Sequence, residues 1–72
     1  MGVAGGGLKV CLSTVFEQAE TNDIICLLRN VAKVQIYPKK IVFTNLMGAQ
    51  TVYVGSLRNI DLLENVITVG KN

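Results

Sequence analysis

Histidine and tryptophan are absent from this 72-residue chain, and proline occurs once. Histidine is the commonest general base and the commonest metal ligand in proteins. Its absence excludes the catalytic dyads and triads that depend on an imidazole. We therefore expect a protein that is not an enzyme and that carries no cofactor.

Cysteine is also scarce, since only Cys11 and Cys26 are present. Two cysteines are too few for a disulfide framework, and neither has partners at zinc-ligand spacing. Both lie in apolar runs, where a thiol usually behaves as a small hydrophobic side chain. We interpret them as reduced thiols in a cytosolic compartment. The longest apolar run, residues 24–28, is far shorter than the roughly 20 residues of a membrane-spanning helix, so we expect no membrane insertion.

The composition predicts one compact domain. Half of the residues are apolar and 17% are charged, which argues against disorder and against a coiled coil. We expect the glycine-rich residues 1–7 to be a flexible linker from a longer chain. Residues 8–70 would then form the domain, which we expect to be monomeric, and residues 71–72 a short tail.

The hydrophobic pattern changes along the chain. Up to residue 20 the apolar residues repeat at helical spacing, which predicts a first helix over residues 9–20. The alternative is a strand over residues 8–12, followed by a shorter helix with Thr14 and Glu17 as its capping box. From residue 24 the pattern has period two and predicts four strands. These strands span residues 24–28, 33–37, 41–45 and 51–54.

A second helix is predicted from Asn59 to Gly70. Asn59 is a suitable N-cap, and Asp61 complements the helix dipole in the first turn. The apolar stripe of this helix would be Ile60, Leu63, Val66 and Ile67. The fold class is therefore α+β, with two helices packed on one face of an antiparallel sheet and the other face open.

Charge is segregated along the chain. Every acid precedes residue 24 or follows residue 60, and five cations lie between them. Strand parity predicts that two tyrosines and the lysines share the open sheet face, where they would stack bases and neutralise phosphates of single-stranded RNA. The predicted site for nucleic acid or a partner comprises Lys33, Gln35, Tyr37, Lys39, Lys40, Tyr53 and Arg58. The alternative is a stabilising aromatic pair, with lysines that prevent aggregation of the sheet.

A row of carboxylates at the end of the first predicted helix gives a further hypothesis. Glu17, Glu20 and Asp23 recur every three residues, and such a ridge can hold a hard cation. The alternative is a solvated helix face, and we predict no metal site elsewhere.

Three segments resemble a known family. They are Lys-Ile-Val-Phe-Thr at residues 40–44, Val-Tyr-Val at 52–54 and Asn-Ile-Asp-Leu-Leu-Glu-Asn-Val-Ile at 59–67. They are similar to the C-terminal subdomain of the SARS-unique region in coronavirus non-structural protein three, which precedes the second ubiquitin-like domain and the papain-like protease. The resemblance covers residues 34–67. The apolar strand at residues 24–28 departs from the family, which points to a betacoronavirus distant from SARS coronavirus.

The resemblance implies a frataxin-like, or double-wing, fold and a non-catalytic module of a viral replicase polyprotein. Such a module would bind single-stranded RNA, host or viral proteins and neighbouring domains in support of replication and transcription. It would act in the host cytoplasm, at replication membranes. The alternative is a protein-interaction or spacer domain that orients the neighbouring macrodomain and protease without touching nucleic acid.

Overall fold

The structure, a computed structural model, describes residues 12–72, and these residues form six β-strands. The strands are β1 (Ser13–Gln18), β2 (Ile24–Ile36), β3 (Lys40–Asn45), β4 (Gln50–Val54), β5 (Ser56–Asp61) and β6 (Val66–Gly70). No helix occurs among the described residues. The prediction of an α+β, frataxin-like fold with two helices on one sheet face is therefore wrong. The predicted linker at residues 1–7 lies outside the described part of the chain.

The strands form one mixed sheet in the order β4-β3-β2-β1-β6-β5. All neighbouring strands are antiparallel except β1 and β6, which are parallel. Gly55 alone separates β4 from β5, although these strands lie at the two edges of the sheet. A single residue can join the two edges only if the sheet curls until they approach each other, and β3 and β5 are in contact. The sheet is therefore rolled into a small barrel.

The interior of the barrel is apolar and receives side chains from every strand. Buried residues from β1, β2, β3 and β6 form its centre, and partly buried residues from β2, β4 and β5 pack against them. The buried set is Val15, Val31, Ile41, Phe43, Ile67 and Val69, and the packed set is Leu28, Val34, Tyr53 and Leu57. Each fully buried aliphatic or aromatic side chain contributes about 1.5–3 kcal/mol, so this cluster is the main stabilising feature.

The first predicted helix is replaced by β1. Val15 is fully buried in the barrel, and Phe16 follows it on the strand. The register of β1 against β2 shifts between Val15 and Phe16, so the apolar positions lose strict alternation and imitate helical spacing. Because β1 lies between β2 and β6, pairing with both neighbours outweighs local propensity. Most of the alternative strand over residues 8–12 lies outside the described residues, and Leu12 precedes β1.

The second predicted helix is replaced by β5, a turn and β6. The Asp61 side chain accepts hydrogen bonds from the amides of Leu63 and Glu64, each at 3.0 Å, as an N-cap does. Asn65 then adopts a left-handed conformation, with φ of 56°, and the chain reverses. The prediction of Asn59 as the N-cap is wrong, because Asn59 lies within β5; Asp61, predicted only to complement a helix dipole, caps a turn of four residues. Leu63, predicted to be buried, is 89% exposed.

The strand predictions fared better. The strands predicted over residues 41–45 and 51–54 are confirmed as β3 and β4. The two strands predicted over residues 24–28 and 33–37 are parts of one long strand, β2. The register of β2 against β3 shifts after Val31. Asn30, with φ of 57°, lies in a separate register shift of β2 against β1, between Leu28 and Val31. The tight turn predicted at Pro38 is confirmed, since the Tyr37 amide donates to the Lys40 carbonyl at 2.9 Å.

Candidate functional site

Two hairpin turns carry the three most exposed large hydrophobic side chains of the described chain, together with the partly exposed Leu46. The turn between β3 and β4 exposes 56% of Leu46 and 87% of Met47, and the turn between β5 and β6 exposes 82% of Leu62 and 89% of Leu63. We call these four residues the apolar tips. Turns usually carry polar residues, so apolar side chains displayed in this way indicate contact with a partner.

The turns are held without using these side chains. In the first turn the Asn45 side-chain oxygen accepts hydrogen bonds from the amides of Met47 and Ala49, at 2.9 and 3.0 Å. Asp61 performs the same role in the second turn. Because side-chain oxygens of the preceding strand fix the backbone, the apolar side chains contribute little to the turns themselves. They can be changed with little effect on stability.

The two apolar tips lie at opposite ends of the barrel. β3 and β6 run in the same direction as β1, and the first turn follows β3 whereas the second turn precedes β6. The second turn lies at the end where β1 begins, since the Thr14 amide donates to the Asn65 carbonyl at 3.0 Å. The first turn lies at the end where β1 finishes. The two tips are therefore separate apolar surfaces.

The end of the barrel where β1 and β6 finish, away from the second tip, contains a polar cleft of about 410 Å³. Its walls come from the end of β1 with the following turn, from β5 and from the residue after β6. The lining residues are Glu17, Gln18, Ala19, Glu20, Asn22, Arg58 and Lys71. The cleft therefore presents acids on one side of the sheet and cations on the other.

A hydrogen bond joins Tyr53 to Glu17, one of the residues that line the cleft. The Tyr53 hydroxyl donates to Glu17 Oε2 at 2.6 Å and ties β4 to β1 across the barrel. Partial burial, together with the hydrogen bond and the negative charge of Glu17, raises the pKa of Tyr53 to about 12, and nearby Arg58 opposes the shift. The phenol stays protonated at neutral pH, so it acts as a donor and not as a base.

Two glycines make room for the side chains of this end. A Cβ on Gly55 would lie 2.5 Å from the Tyr53 ring and 2.6 Å from the Gly70 carbonyl oxygen. A Cβ on Gly70 would lie 2.7 Å from the Arg58 guanidinium, which therefore rests directly against the Gly70 backbone. Arg58 Nη2 also donates to the Lys71 carbonyl at 2.8 Å, and Lys71 Nζ lies 5.7 Å from the Tyr53 ring centroid. Arg58 and Lys71, the cations of the cleft, are thus held by contacts with backbone groups and with the Tyr53 ring.

The structure separates the residues predicted to bind RNA or a partner into three places. Lys33 and Gln35 share the outer face of β2, because Val34 between them packs on the core. Tyr37 and Lys40 meet at the next turn, where Lys40 Nζ lies 5.1 Å from the Tyr37 ring centroid. Lys39 lies in the same turn and is exposed.

Tyr53 and Arg58 lie elsewhere. Tyr53 pairs with the buried Ile41 and packs against the core, so it does not share a face with Tyr37. The strand pattern predicts that Val52 and Val54 of β4 face the core and that Tyr53 faces outward. The prediction is wrong, because Val52 and Val54 are 56% and 66% exposed. Arg58 lines the polar cleft. A binding role for the individual side chains stays a prediction.

The carboxylates predicted as a cation site do not form a helical ridge. Glu17 lies on β1, and Glu20 and Asp23 lie in or beside the turn that follows it. Asp23 accepts a hydrogen bond from the Thr21 hydroxyl at 2.9 Å. Within residues 12–72, no three His, Cys, Asp or Glu side chains come together as metal ligands. Cys26, expected to behave as a small hydrophobic residue, is an exposed free thiol. None of the described segments is a helix with the length and hydropathy to cross a membrane.

The sequence reasoning missed the apolar tips. The sequence pattern predicts that Leu46 and Met47 lie in the connection between two strands. It predicts that Leu63 lies in the buried stripe of a helix. The signal was present, because each apolar pair follows a residue that caps turns, Asn45 or Asp61, and precedes a residue with a left-handed backbone. An apolar pair inside such a turn has no route to the core.

The fold and the site define a small β-barrel that displays apolar side chains on its turns. The family model described as "CO dehydrogenase accessory protein CooT" matches residues 10–70. The chain therefore belongs to the CooT family. In a comparison with curated proteins, none matched the chain.

This membership corrects the resemblance stated above. The identification as a coronavirus replicase module, and the viral RNA-binding function with it, is wrong. The matching motifs were short strand and turn patterns, and residues 59–67, compared with a capped helix, form strand, turn and strand. Membership of an accessory-protein family agrees with the prediction of a non-catalytic protein and implies a partner. The cytosolic compartment and the monomeric state stay predictions.

Proposed function

We propose that this chain assists the maturation of CO dehydrogenase and that it does so by docking on the enzyme, or on an assembly intermediate of it, through the second apolar tip, Leu62 and Leu63. The family assignment supports the identity of the partner. The observation that carries the docking surface is the exposure of Leu62 and Leu63 side by side in one turn, at the end of the barrel where β6 begins.

The chemistry of the tips suits a protein partner. Methionine and leucine on short turns present flexible apolar surface that can fit a groove, and methionine is enriched in interfaces. Leu62 and Leu63 are more than four-fifths exposed, so binding can bury nearly all of their side chains. Burying each side chain fully contributes about 1.5–3 kcal/mol before the cost of association. Two such leucines can anchor a transient complex.

The β1–β2 hairpin offers a competing apolar surface. Ile24 and Ile25 at the start of β2 are 66% and 49% exposed. They pair with Gln18 and Glu17, which line the polar cleft, so they lie at the barrel end away from the second tip. Variants at the two ends therefore distinguish the two surfaces.

The test measures binding of the complete chain to purified CO dehydrogenase that lacks its mature active site, by calorimetry. The double variant Leu62→Asp with Leu63→Asp is expected to lower the affinity at least tenfold, which is about 1.4 kcal/mol. Ile24→Asp is the matched control and is expected to bind as the unmodified chain does. Both variants should remain folded, since surface substitutions usually change stability by less than about 0.5 kcal/mol.

A deletion strain supplies the functional readout. Loss of the chain is expected to lower CO dehydrogenase activity in extracts without lowering the amount of the enzyme polypeptide, and the unmodified chain should restore it. If Ile24→Asp abolishes binding and the tip variant does not, the docking surface is wrong but the accessory role stands. Full enzyme activity in the deletion strain would reject the accessory role itself.

A further inference from the structure

β4 is an edge strand without the features that usually protect an edge. It pairs with β3 along its whole length, and no strand of the described chain pairs with its other side. The opposite edge strand, β5, contains Arg58 and a register shift before Asn59. β4 reads Gln-Thr-Val-Tyr-Val and contains no charge, proline or register shift. Charges, prolines and bulges are how proteins prevent an edge from pairing, so β4 remains open to an added strand.

The backbone groups on this edge can be assigned from the ladder. The Asn45 amide donates to the Ala49 carbonyl at 2.9 Å, which fixes the first hydrogen-bonded pair of the β3–β4 hairpin. Bonded and non-bonded pairs alternate along an antiparallel ladder. Thr51 therefore bonds to β3, whereas Val52 directs its N–H and C=O to the open edge. The same alternation leaves the N–H of Val54 at that edge.

The side chains beside the edge are apolar. Val52 and Val54 are 56% and 66% exposed on the outer face of the sheet. Val52 pairs with Val42 of β3, which is 9% exposed on the same face. An added strand would cover the exposed valines with its own alternate side chains, and that pattern gives strand addition its specificity.

The surrounding charge selects the partner. All the charged residues from residue 24 to residue 54 are cations, and no acid occurs between Asp23 and Asp61. The cations are Arg29, Lys33, Lys39 and Lys40. Lys40 pairs with Val54, so the backbone of an added strand would lie about 10 Å from that of Lys40, which the side chains of lysine and glutamate can span.

We propose that β4 binds an extended acidic segment of a partner protein by strand addition. The segment forms main-chain hydrogen bonds with Val52 and Val54, places apolar side chains over the two valines and directs carboxylates toward the cations of β2 and β3. This binding site does not involve the apolar tips and does not depend on the role in CO dehydrogenase maturation.

The test is a titration of the complete chain with a blocked octapeptide of alternating valine and glutamate, followed by amide chemical shifts. We expect saturable shifts in residues 50–54 and slower hydrogen exchange at the amides of Val52 and Val54. The matched peptide with lysine at each glutamate position should bind at least tenfold more weakly, since like charges oppose its approach. Equal binding of the two peptides would overturn the acidic specificity.

Two modifications test the main-chain contacts. Val52→Pro removes an edge donor without removing a bond to β3, and is expected to lower the affinity at least tenfold, whereas Val52→Thr keeps the donor and should change it less than threefold. The second modification is in the peptide, where methylation of alternate amide nitrogens should abolish binding regardless of how the protein variant folds. Undiminished binding of the methylated peptide would overturn strand addition. Slow exchange of Val52 and Val54 in the free chain would also overturn it, because a second copy or another segment would then occupy the edge.

Discussion

Tyr53→Phe tests the link between β4 and β1 at the cleft. The substitution removes only the hydroxyl that donates to Glu17 at 2.6 Å and keeps the ring that packs against the core. A net hydrogen bond to a charged group is worth about 1.5–3 kcal/mol. Because Glu17 is only partly buried, solvent replaces some of this interaction, and we expect a loss of about 1 kcal/mol.

The size of the chain makes this loss measurable. In a domain of this length, 1 kcal/mol lowers the melting temperature by about 4–8 °C. The assay is thermal and urea unfolding followed by circular dichroism. Tyr37→Phe is the matched control, because Tyr37 lies in an exposed turn, and it should unfold as the unmodified chain does. Equal melting temperatures for Tyr53→Phe and the unmodified chain would refute the stabilising role of the hydrogen bond.

The same hydroxyl predicts a pH dependence. The pKa of Tyr53 is raised from 10.0 to about 12 in the folded chain, so the folded state holds its proton more tightly than the unfolded state. The resulting stability is complete below pH 10 and is lost as the pH rises toward 12. Two units correspond to about 2.7 kcal/mol, which solvent exposure reduces to about 1 kcal/mol. The Tyr37→Phe chain contains Tyr53 as its one tyrosine, so its absorbance titration should have a midpoint above the ordinary value of 10.0.

Two further predictions concern the chain at the glycines and at the second turn. Gly55→Ala should destabilise the fold by about 1–3 kcal/mol, because the new Cβ would meet the rigid Gly70 carbonyl. Gly70→Ala should destabilise it less, because the new Cβ would meet the flexible Arg58 side chain, which can move away. Equal losses of stability in urea unfolding would contradict this. Asp61→Ala removes the acceptor for two turn amides and should cost about 1 kcal/mol by the same assay, with Asp61→Asn retaining most of the stability.

Parts of the fold were predictable because local chemistry and tertiary pairing agree there. β3 and β4 alternate, and the connection between them contains Asn45 and Gly48, which favour a tight turn. The helices were mispredicted where local signals were ambiguous. Asp61 caps a turn as well as it caps a helix, and only Asn65, with its left-handed backbone, distinguishes the two outcomes.

The candidate site was less predictable because it depends on contacts that join distant residues. Tyr53 and Glu17 are 36 residues apart, and they meet only because Gly55 turns the chain from one sheet edge to the other. Parity within β4 depends on its register with β3, which places Tyr53 opposite Ile41. A strand with alternate apolar residues on both faces gives no sign of which face is inside.

The two ends of the barrel are joined by β1, which makes their functions separable. Thr14, at one end of this strand, bonds to the turn that carries the second apolar tip, and Glu17 near its other end bonds to Tyr53 in the cleft. Val15 between them is fully buried and shields one contact from the other. Distant sites without shared partners have additive effects, usually within about 0.5 kcal/mol. Combining Tyr53→Phe with Leu62→Asp should therefore lower stability as the first change does alone, and lower partner affinity as the second does alone. Coupling beyond that margin would show that the barrel transmits a change from one end to the other.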